Sequence, residues 1–287
     1  MMQDYILQII STVLLALNFA VTKAYQQKEG TSLEKGLQFN IILGLFSAVF
    51  FWALNGFRLE CSAFSVLMAS AFAVLKAAYT IIGFQIMSKG KISFYTFFLM
   101  TGGMIVPYIW GLIFLNEPAS LLRTTGLIVI AAALFIINAD GPKPGIKQIL
   151  MCCAVFVLNG FVSVISKEHQ INMAAVSAMD FVVLTGIATA VFCSVGLFFV
   201  KRKSGEKKEF SFQSNMLIVG AALLSGFSYL LQLIGAENLP STVLYPIITG
   251  GSIIFTAFSG ILFFKEKVTS RTMLGIGLCF LGTCMFL

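Results

Sequence analysis

Ten long apolar runs separated by short polar breaks constrain the fold of this chain more than any other feature of its sequence. A helix that crosses a bilayer needs about 17–25 mostly apolar residues, and each run is close to that length. We expect helices, because a backbone in hydrocarbon must satisfy its own hydrogen bonds, whereas a membrane β-barrel would show short alternating segments. The predicted spans are 5–24, 37–57, 63–87, 92–115, 121–138, 146–165, 174–200, 214–236, 241–264 and 270–287.

The composition excludes a water-soluble fold. Of 287 residues, 58% are hydrophobic and 11% are charged, and the mean hydropathy is +0.94. Soluble domains carry about 25% charged residues, so this much apolar surface needs a bilayer around it. The net charge of +7 does not indicate a nucleic-acid partner, because the basic residues are spread over short loops, as membrane orientation requires.

The two halves of the chain carry the same markers in the same order. Thr101–Gly103 recurs 148 residues later as Thr249–Gly251, and Leu17-Asn18 recurs as Leu158-Asn159. Apolar helices that merely look alike would not give an ordered series, so the sequence predicts a duplication. Further matches join Gly111 to Gly260, Glu117 to Glu266 and Gly126 to Gly275.

The duplication predicts the membrane topology. Residues 1–139 and 145–287 each hold five predicted spans. Because five is odd, the second unit must cross the membrane in the opposite sense to the first. The expected fold is therefore an all-α integral membrane protein with ten transmembrane helices in two five-helix, inverted-topology repeats. In such folds the substrate site lies near the midplane between the repeats, and access alternates as one repeat rocks against the other.

With this duplication, the chain resembles the EamA-like, ten-span members of the drug/metabolite transporter superfamily. The resemblance rests on the five-plus-five duplication and on glycine-rich fourth and ninth spans that end in the acidic turns Gly111–Pro118 and Gly260–Lys267. The glycines of the spans that follow these turns add to it. It covers essentially the whole chain and implies a transporter of amino acids, drugs, sugars or nucleotide sugars. It also implies a central cavity lined mainly by spans 1, 3, 4, 6, 8 and 9.

Two features depart from the family pattern. Family members often carry Arg-Phe early in the second and seventh spans, where this chain has Gln38-Phe39 and Asp180-Phe181. We expect a solvated position for Asp180, in the first turns of its span. The second departure is orientation, because the loops after odd-numbered spans hold 15 of the 19 basic residues. The positive-inside rule places these loops in the cytoplasm and both termini outside, whereas many family members have both termini inside.

Lys76 is the sharpest functional signal, because it is a charge in the middle of the third span, which has no acidic residue. A charge at the bilayer centre costs roughly 2.5–3.5 kcal/mol on insertion scales, so a wet cavity and a partner are expected. With no carboxylate fixed inside the membrane, an anionic or zwitterionic substrate is the expected partner, and Lys76 is also a candidate proton carrier. The alternative is a lysine that packs against carbonyl groups of the helix bundle.

Polar and aromatic side chains inside the spans complete the predicted substrate site. Tyr79 shares a helix face with Lys76, and Gln232 shares one with Tyr229 in the eighth span, the repeat counterpart of the third. Each residue has a structural alternative: tyrosine and tryptophan can pack in the core, and asparagine can bridge helices. The predicted substrate-binding residues are Lys76, Tyr79, Asn18, Tyr108, Trp110, Asn159, Tyr229 and Gln232.

A second set of residues is expected to act as hinges or gates. Paired glycines let helices approach closely, a proline removes a helix hydrogen bond and kinks the span, and two glutamates end the fourth and ninth spans. The set comprises Gly102, Gly103, Pro107, Gly250, Gly251, Pro246, Glu117 and Glu266.

The leading hypothesis is a secondary transporter of the cell membrane that moves a small organic solute by alternating access, as a monomer or homodimer. No Walker motif is present, so coupling to a proton or a counter-substrate is expected. We expect no cofactor, metal site or catalytic residue, because His169 is the only histidine and no HExxH, GxSxG or carboxylate pair occurs within a span. The alternatives are a flippase or carrier for a lipid-linked or sugar-type substrate, a membrane-embedded enzyme, and a receptor or scaffold.

Overall fold

The computed structural model describes residues 2–87, 92–118, 120–138, 145–201, 211–265 and 269–287. In this part of the chain every regular element is a helix, as the sequence predicts. The helices are α1 Met2–Glu29, α2 Leu33–Leu54, α3 Ala63–Met87, α4 Ile92–Phe114, α5 Leu121–Asn138, α6 Ile146–Gln170, α7 Ala178–Lys201, α8 Phe212–Asn238, α9 Ser241–Phe264 and α10 Ser270–Cys284.

Nine of the ten described helices are long and apolar enough to cross a bilayer. The exception is α10, with 15 residues. At 1.5 Å per residue it extends over roughly 22 Å, less than the ~30 Å of a hydrocarbon core. The prediction of an all-helical, multi-pass membrane protein is confirmed. The tenth crossing stays a prediction, as does the inverted arrangement of two repeats.

Helix α6 is longer than the sequence predicts. The sixth predicted span ends at residue 165, but the helix continues through Lys167 and His169 to Gln170. The prediction is wrong because these polar side chains find partners inside the bundle, and Lys167 and His169 are both buried. Lys167 donates to the carbonyl of Ala236 at 2.7 Å, and the ring of His169 bonds the hydroxyl of Ser65 at 2.8 Å.

Asp180 is also buried, at 3% exposure, so the expectation of a solvated position is wrong. One carboxylate oxygen accepts from the amide of Asn55 at 2.9 Å, and the other accepts from the hydroxyl of Ser177 at 2.7 Å. Ser177 in turn accepts from the backbone N–H of Asp180 at 3.1 Å. This capping arrangement places a negative charge at the start of α7, where the helix dipole stabilises it.

Helix packing repeats when each helix number is raised by five. α2 packs on α7, α4 on α9 and α5 on α10, so each of these pairs joins a helix to its counterpart. The other main contacts come in matched sets: α1 with α8 corresponds to α6 with α3, α1 with α9 to α6 with α4, and α2 with α8 to α7 with α3. The first five helices therefore interlock with the last five instead of forming a separate bundle.

Glycines allow the closest of these crossings. A methyl group added to Gly44 of α2 would lie 2.6 Å from the carbonyl oxygen of Gly186 in α7, and one added to Gly186 would lie 2.8 Å from that of Gly44. Gly126 and Gly282 face each other in the same way where α5 crosses α10, at 2.9 and 3.0 Å. Without side chains at these points the helix backbones can touch, as small residues permit in membrane bundles.

Large apolar side chains cover the outside of the bundle. Leu67, Phe135 and Phe198, on three different helices, are more than half exposed. Exposed apolar area on this scale marks a surface that something apolar covers. Acyl chains of a bilayer are the natural cover for a chain of this hydropathy.

Candidate solute-binding cavity

A cavity of about 360 Å³ lies in the middle of the helix bundle. Residues of α1, α2, α3, α4, α6, α7, α8 and α9 line it, and none of the described lining residues belongs to α5 or α10. The family resemblance implies six of these eight helices. The other two, α2 and α7, reach the cavity at their close crossing, where Gly44 and Gly186 both belong to the wall.

Six of the eight predicted substrate-binding residues line this cavity. They are Lys76, Tyr79, Asn18, Asn159, Tyr229 and Gln232. They come from α3, α1, α6 and α8, so the fold brings together side chains that are far apart in the sequence. Their contact with a solute stays a prediction.

Lys76 is the only charged side chain among the described residues that line the cavity. No described residue forms a hydrogen bond or an ion pair with its ammonium group, whose nitrogen lies 5.8 Å from the centre of the Phe72 ring. An ammonium group over an aromatic face gains about 0.5–2 kcal/mol, which is small beside the cost of removing a charge from water. The cavity therefore holds one positive charge that still lacks an anionic partner.

The repeat mates Asn18 and Asn159 differ in their hydrogen bonding. The amide of Asn159 donates to the carbonyl of Leu99 at 2.8 Å, so it ties α6 to α4. The amide oxygen of Asn18 is buried and has no partner in the described part of the chain. A buried acceptor without a donor costs about 1–3 kcal/mol, so the amide oxygen of Asn18 has a hydrogen bond left to accept.

Two other predicted residues are already bonded within the wall. The hydroxyls of Tyr229 and Ser166 lie 3.0 Å apart. The amide of Gln232 donates to the hydroxyl of Ser228 at 3.0 Å. Tyr79, in contrast, has a hydroxyl that bonds to none of the described residues.

Tyr108 and Trp110 do not line the cavity. Tyr108 is 2% exposed in the core between α4, α5, α9 and α10, and its hydroxyl lies 2.9 Å from that of Thr124. The indole N–H of Trp110 donates to the carboxylate of Glu168 at 2.6 Å, at the end of α6. Both side chains therefore make the contacts of residues that pack between helices.

The model of the EamA-like transporter family matches residues 146–287. The chain belongs to the EamA-like transporter family. The matched segment is the second of the two units predicted from the sequence, and it contains α6 to α10. The chain is therefore a multi-pass membrane protein, and its family is one of transporters, not of enzymes.

A solved crystal structure shares the fold of this EamA-like chain. The TM-score is 0.70 at 11% sequence identity, over 95% of this chain and 97% of that one. At this identity the likeness concerns the fold alone. No curated protein matches the chain by sequence.

The acidic turn after α4, one of the features of the EamA resemblance, caps a helix of the other half. The carboxylate of Glu117 accepts from the backbone N–H groups of Ser241 and Thr242, at 2.7 and 2.8 Å. These are the first N–H groups of α9, whose N-cap Pro240 has no side-chain acceptor. A carboxylate at this position satisfies orphan donors and opposes the positive end of the helix dipole.

Lys167 binds the turn between α8 and α9 at the end of α8. Its ammonium group donates to the carbonyls of Ala236 and Leu239, at 2.7 and 2.8 Å, at the end of α8. A cation stabilises the carbonyl end of a helix as an anion stabilises the N–H end. The turn between α8 and α9 is therefore clamped by a base from α6 and an acid that follows α4.

The predicted hinge glycines are sites of close packing, and only Gly103 among them lines the cavity. Gly102 lies against the backbone of Phe156, and Gly103 lies beside the amide of Asn159. The prolines of the set lie inside helices α4 and α9. Gly250 faces Thr283, Gly251 faces Thr12, and Glu266 lies outside the described residues.

The hydroxyl-bearing side chains of the wall were not predicted from the sequence. They include Ser47, Thr185, Thr189, Ser225, Thr249 and Ser252. Some of them donate to their own helix, as Thr185 does to the carbonyl of Phe181 at 2.9 Å. A helical spacing was their only signal: Thr185 and Thr189 are four apart, so they share a face of α7.

Proposed function

We propose that the chain is a secondary transporter that carries a small anionic or zwitterionic organic solute across the cytoplasmic membrane by alternating access. The observation that carries the proposal is the central cavity, where Lys76 has no hydrogen-bond or ion-pair partner among the described residues, inside a member of a transporter family. An ionisable residue inside a membrane bundle is expensive and marks a substrate or ion pathway. The driving force is a proton or counter-substrate gradient, and the unit that works is a monomer or homodimer.

Alternating access follows from two inverted repeats, residues 1–139 and 145–287. Helix packing that repeats at an interval of five supports this arrangement, because two related units with opposite orientation would pack on each other in matched pairs. The contact of Gly44 with Gly186 supports it too, since residues 44–50 (GLFSAVF) match residues 186–192 (GIATAVF) in the other unit. The cavity then lies between the repeats, where rocking of one on the other opens it to either side.

The orientation in the membrane puts both termini outside the cell. Support comes from the loops after odd-numbered helices and the helix ends beside them, which hold 15 of the 19 basic residues and belong in the cytoplasm by the positive-inside rule. A reporter fused to the C-terminus gives the test. A reporter that works only outside the cytoplasm agrees with this orientation, and cytoplasmic activity contradicts it.

Uptake into proteoliposomes tests the function. The purified protein is reconstituted and offered a panel of organic anions, amino acids and sugars, with and without a preloaded counter-substrate. We expect saturable uptake of at least one anionic or zwitterionic solute. No uptake of any solute by protein that is folded and reconstituted would remove the transporter proposal.

A matched pair of variants tests the lysine. Lys76→Met keeps the length of the side chain and removes its charge, and Lys147→Met makes the same change at an exposed position near the start of α6. We expect uptake to fall at least tenfold in the first variant, since a hydrogen bond to a charged group is worth about 1.5–3 kcal/mol. The second variant should match the wild type. Equal uptake by the two variants would show that transport does not need the charge of Lys76.

A further inference from the structure

The hydrogen bonds of the cavity divide its polar side chains into two groups. Asn159, Tyr229 and Gln232 are bonded to neighbours in the wall. Lys76 and Tyr79 form no hydrogen bond with described residues, and the oxygen of Asn18 is buried without a donor. Groups that are already bonded hold the wall together, and groups that are not are those that a solute can satisfy.

Asn18 and Asn159 show the difference between the two groups within one residue type. The two occupy corresponding places in α1 and α6, so the same residue type meets two environments. In α6 the amide reaches the carbonyl of Leu99 and joins two helices. In α1 no described group takes that place. A structural role alone would not explain why one mate keeps a buried, unpaired oxygen that costs about 1–3 kcal/mol.

The charged side chains that line the cavity favour one sign of charge on the solute. Lys76 is its one charged side chain, and no described aspartate or glutamate lines the cavity. An anion would neutralise the ammonium group of Lys76. The ammonium group of a zwitterion, by contrast, would lose its water without meeting a carboxylate, which is costly in a cavity of low polarity. The wall therefore favours a net anion over a zwitterion or a cation.

Asn18 and Lys76 stand on different walls of the cavity. Asn18 belongs to α1, which packs on α8 and α9, whereas Lys76 belongs to α3, which packs on α6 and α7. A solute that satisfies both therefore needs an anionic group and a separate hydrogen-bond donor for the oxygen of Asn18. A hydroxyl group is a donor that carries no charge, so it meets this need without a carboxylate in the wall.

Aromatic rings define the rest of the solute. Phe19, Phe72 and Tyr79 line the cavity, and Phe72 and Tyr79 stand on either side of Lys76 on α3. Flat apolar surfaces of this kind pack on an aryl group in offset or edge-to-face geometry. An aryl group packed on these rings would fill the apolar part of the cavity.

We propose that the cavity binds an aryl-substituted hydroxycarboxylate, with its carboxylate on Lys76 and Tyr79 and its hydroxyl on the amide oxygen of Asn18. This inference rests on the proposed function and narrows the solute from any anion or zwitterion to one class. It assigns the amide of Asn18 as the group that recognises the hydroxyl. It assigns Asn159, its repeat mate, to the structure of the wall.

Three ligands with one carbon skeleton test the inference. They are 2-hydroxy-3-phenylpropanoate, 3-phenylpropanoate and phenylalanine, and their binding to the whole protein in nanodiscs is measured by calorimetry. We expect the hydroxy acid to bind about three- to tenfold more tightly than the unsubstituted acid, as one neutral hydrogen bond allows. Phenylalanine should bind most weakly. Binding of phenylalanine that equals or exceeds that of the hydroxy acid overturns the charge argument.

Variants separate recognition from folding. Lys76→Met should weaken both acids about ten- to hundredfold, and Lys76→Arg should keep most of the affinity, because it keeps the charge. Asn18→Ala should bring the preference for the hydroxy acid over the unsubstituted acid to about one, whereas Asn159→Ala should leave that ratio unchanged even if the protein unfolds at a lower temperature. A ratio that survives Asn18→Ala overturns the assignment.

Ligand binding tests the assigned site and liposome uptake tests the proposed function, so the two can fail separately. If liposomes take up another solute and the protein binds none of the three ligands, the inference fails and the proposed function stands. If the hydroxy acid binds with the expected preference and no solute crosses the liposome membrane, the transporter proposal fails and the binding site stands.

Discussion

Alanine at position 44 should push α2 and α7 apart. The added methyl group would lie 2.6 Å from the carbonyl oxygen of Gly186, and the next atom, the backbone nitrogen of Ala190, is at 3.3 Å. Ordinary contact begins at 3.4 Å, so the two helices must separate by about 0.8 Å. Both near atoms belong to a backbone, which means that no side-chain rotation can relieve the contact.

The expected cost combines two opposing effects. Overpacking of a tight interior typically costs about 1–3 kcal/mol, and replacing glycine by alanine in a helix returns about 0.5–1 kcal/mol. The free energy of unfolding should therefore fall by about 1–2 kcal/mol. Because Gly44 and Gly186 also line the cavity, the same separation should change the affinity for the solute.

Denaturant unfolding of the purified protein in detergent measures this change. Gly196→Ala is the matched control on α7, since its nearest neighbour would be the side chain of Leu37 at an ordinary 3.6 Å. That variant should be as stable as the wild type or slightly more stable. The double variant at positions 44 and 186 should lose less than the sum of the two single losses, because one separation relieves both contacts. A fully stable Gly44→Ala, or strict additivity in the double variant, would show that the close approach of α2 and α7 does not limit the side chains at these positions.

Three further changes test the contacts around the cavity. Glu117→Gln should lower the free energy of unfolding by about 1 kcal/mol, because a neutral side chain opposes the helix dipole less; an unchanged stability would remove the capping role. Lys167→Met should cost about 2–4 kcal/mol, because two buried carbonyls lose their donor, while Lys147→Met at an exposed site should cost nothing measurable in the same assay. Tyr229→Phe should lower stability by about 0.5–1.5 kcal/mol through the lost bond to Ser166 and leave solute affinity within twofold; a larger loss of affinity would place Tyr229 in contact with the solute.

Features that depend on local sequence were predictable. The bounds of α5 and α9 are those that the apolar runs predict, because the length of an apolar run is read directly from the chain. Helix α1, in contrast, continues to Glu29 beyond the predicted end at residue 24. Long polar side chains such as Lys23 and Lys28 can extend to the membrane surface while their backbone stays helical. The apolar run therefore ends several residues before the helix does.

Features that depend on distant partners were not predictable. Burial of Asp180 needs the amide of Asn55, which follows a different helix. Trp110 has a plausible place in a cavity wall by sequence, but its partner Glu168 lies 58 residues away. Lys76 could be singled out because a charge inside a span is rare, whereas serine and threonine are common there. The hydroxyls of the wall consequently carried no signal beyond their helical spacing.

Chemical blockade of the cavity is the most direct test of the claim that solute passes through it. The six native cysteines are free and are first replaced. A single cysteine is then placed at position 225, in the cavity wall of α8, or at position 216, where Met216 is exposed on the same helix. After labelling with a bulky maleimide, flux into proteoliposomes is measured. Full labelling at position 225 should abolish flux, and excess solute should slow this labelling. Labelling at position 216 should leave flux unchanged and should not be slowed by solute. Undiminished flux through a protein fully labelled at position 225 would contradict passage of the solute through the cavity.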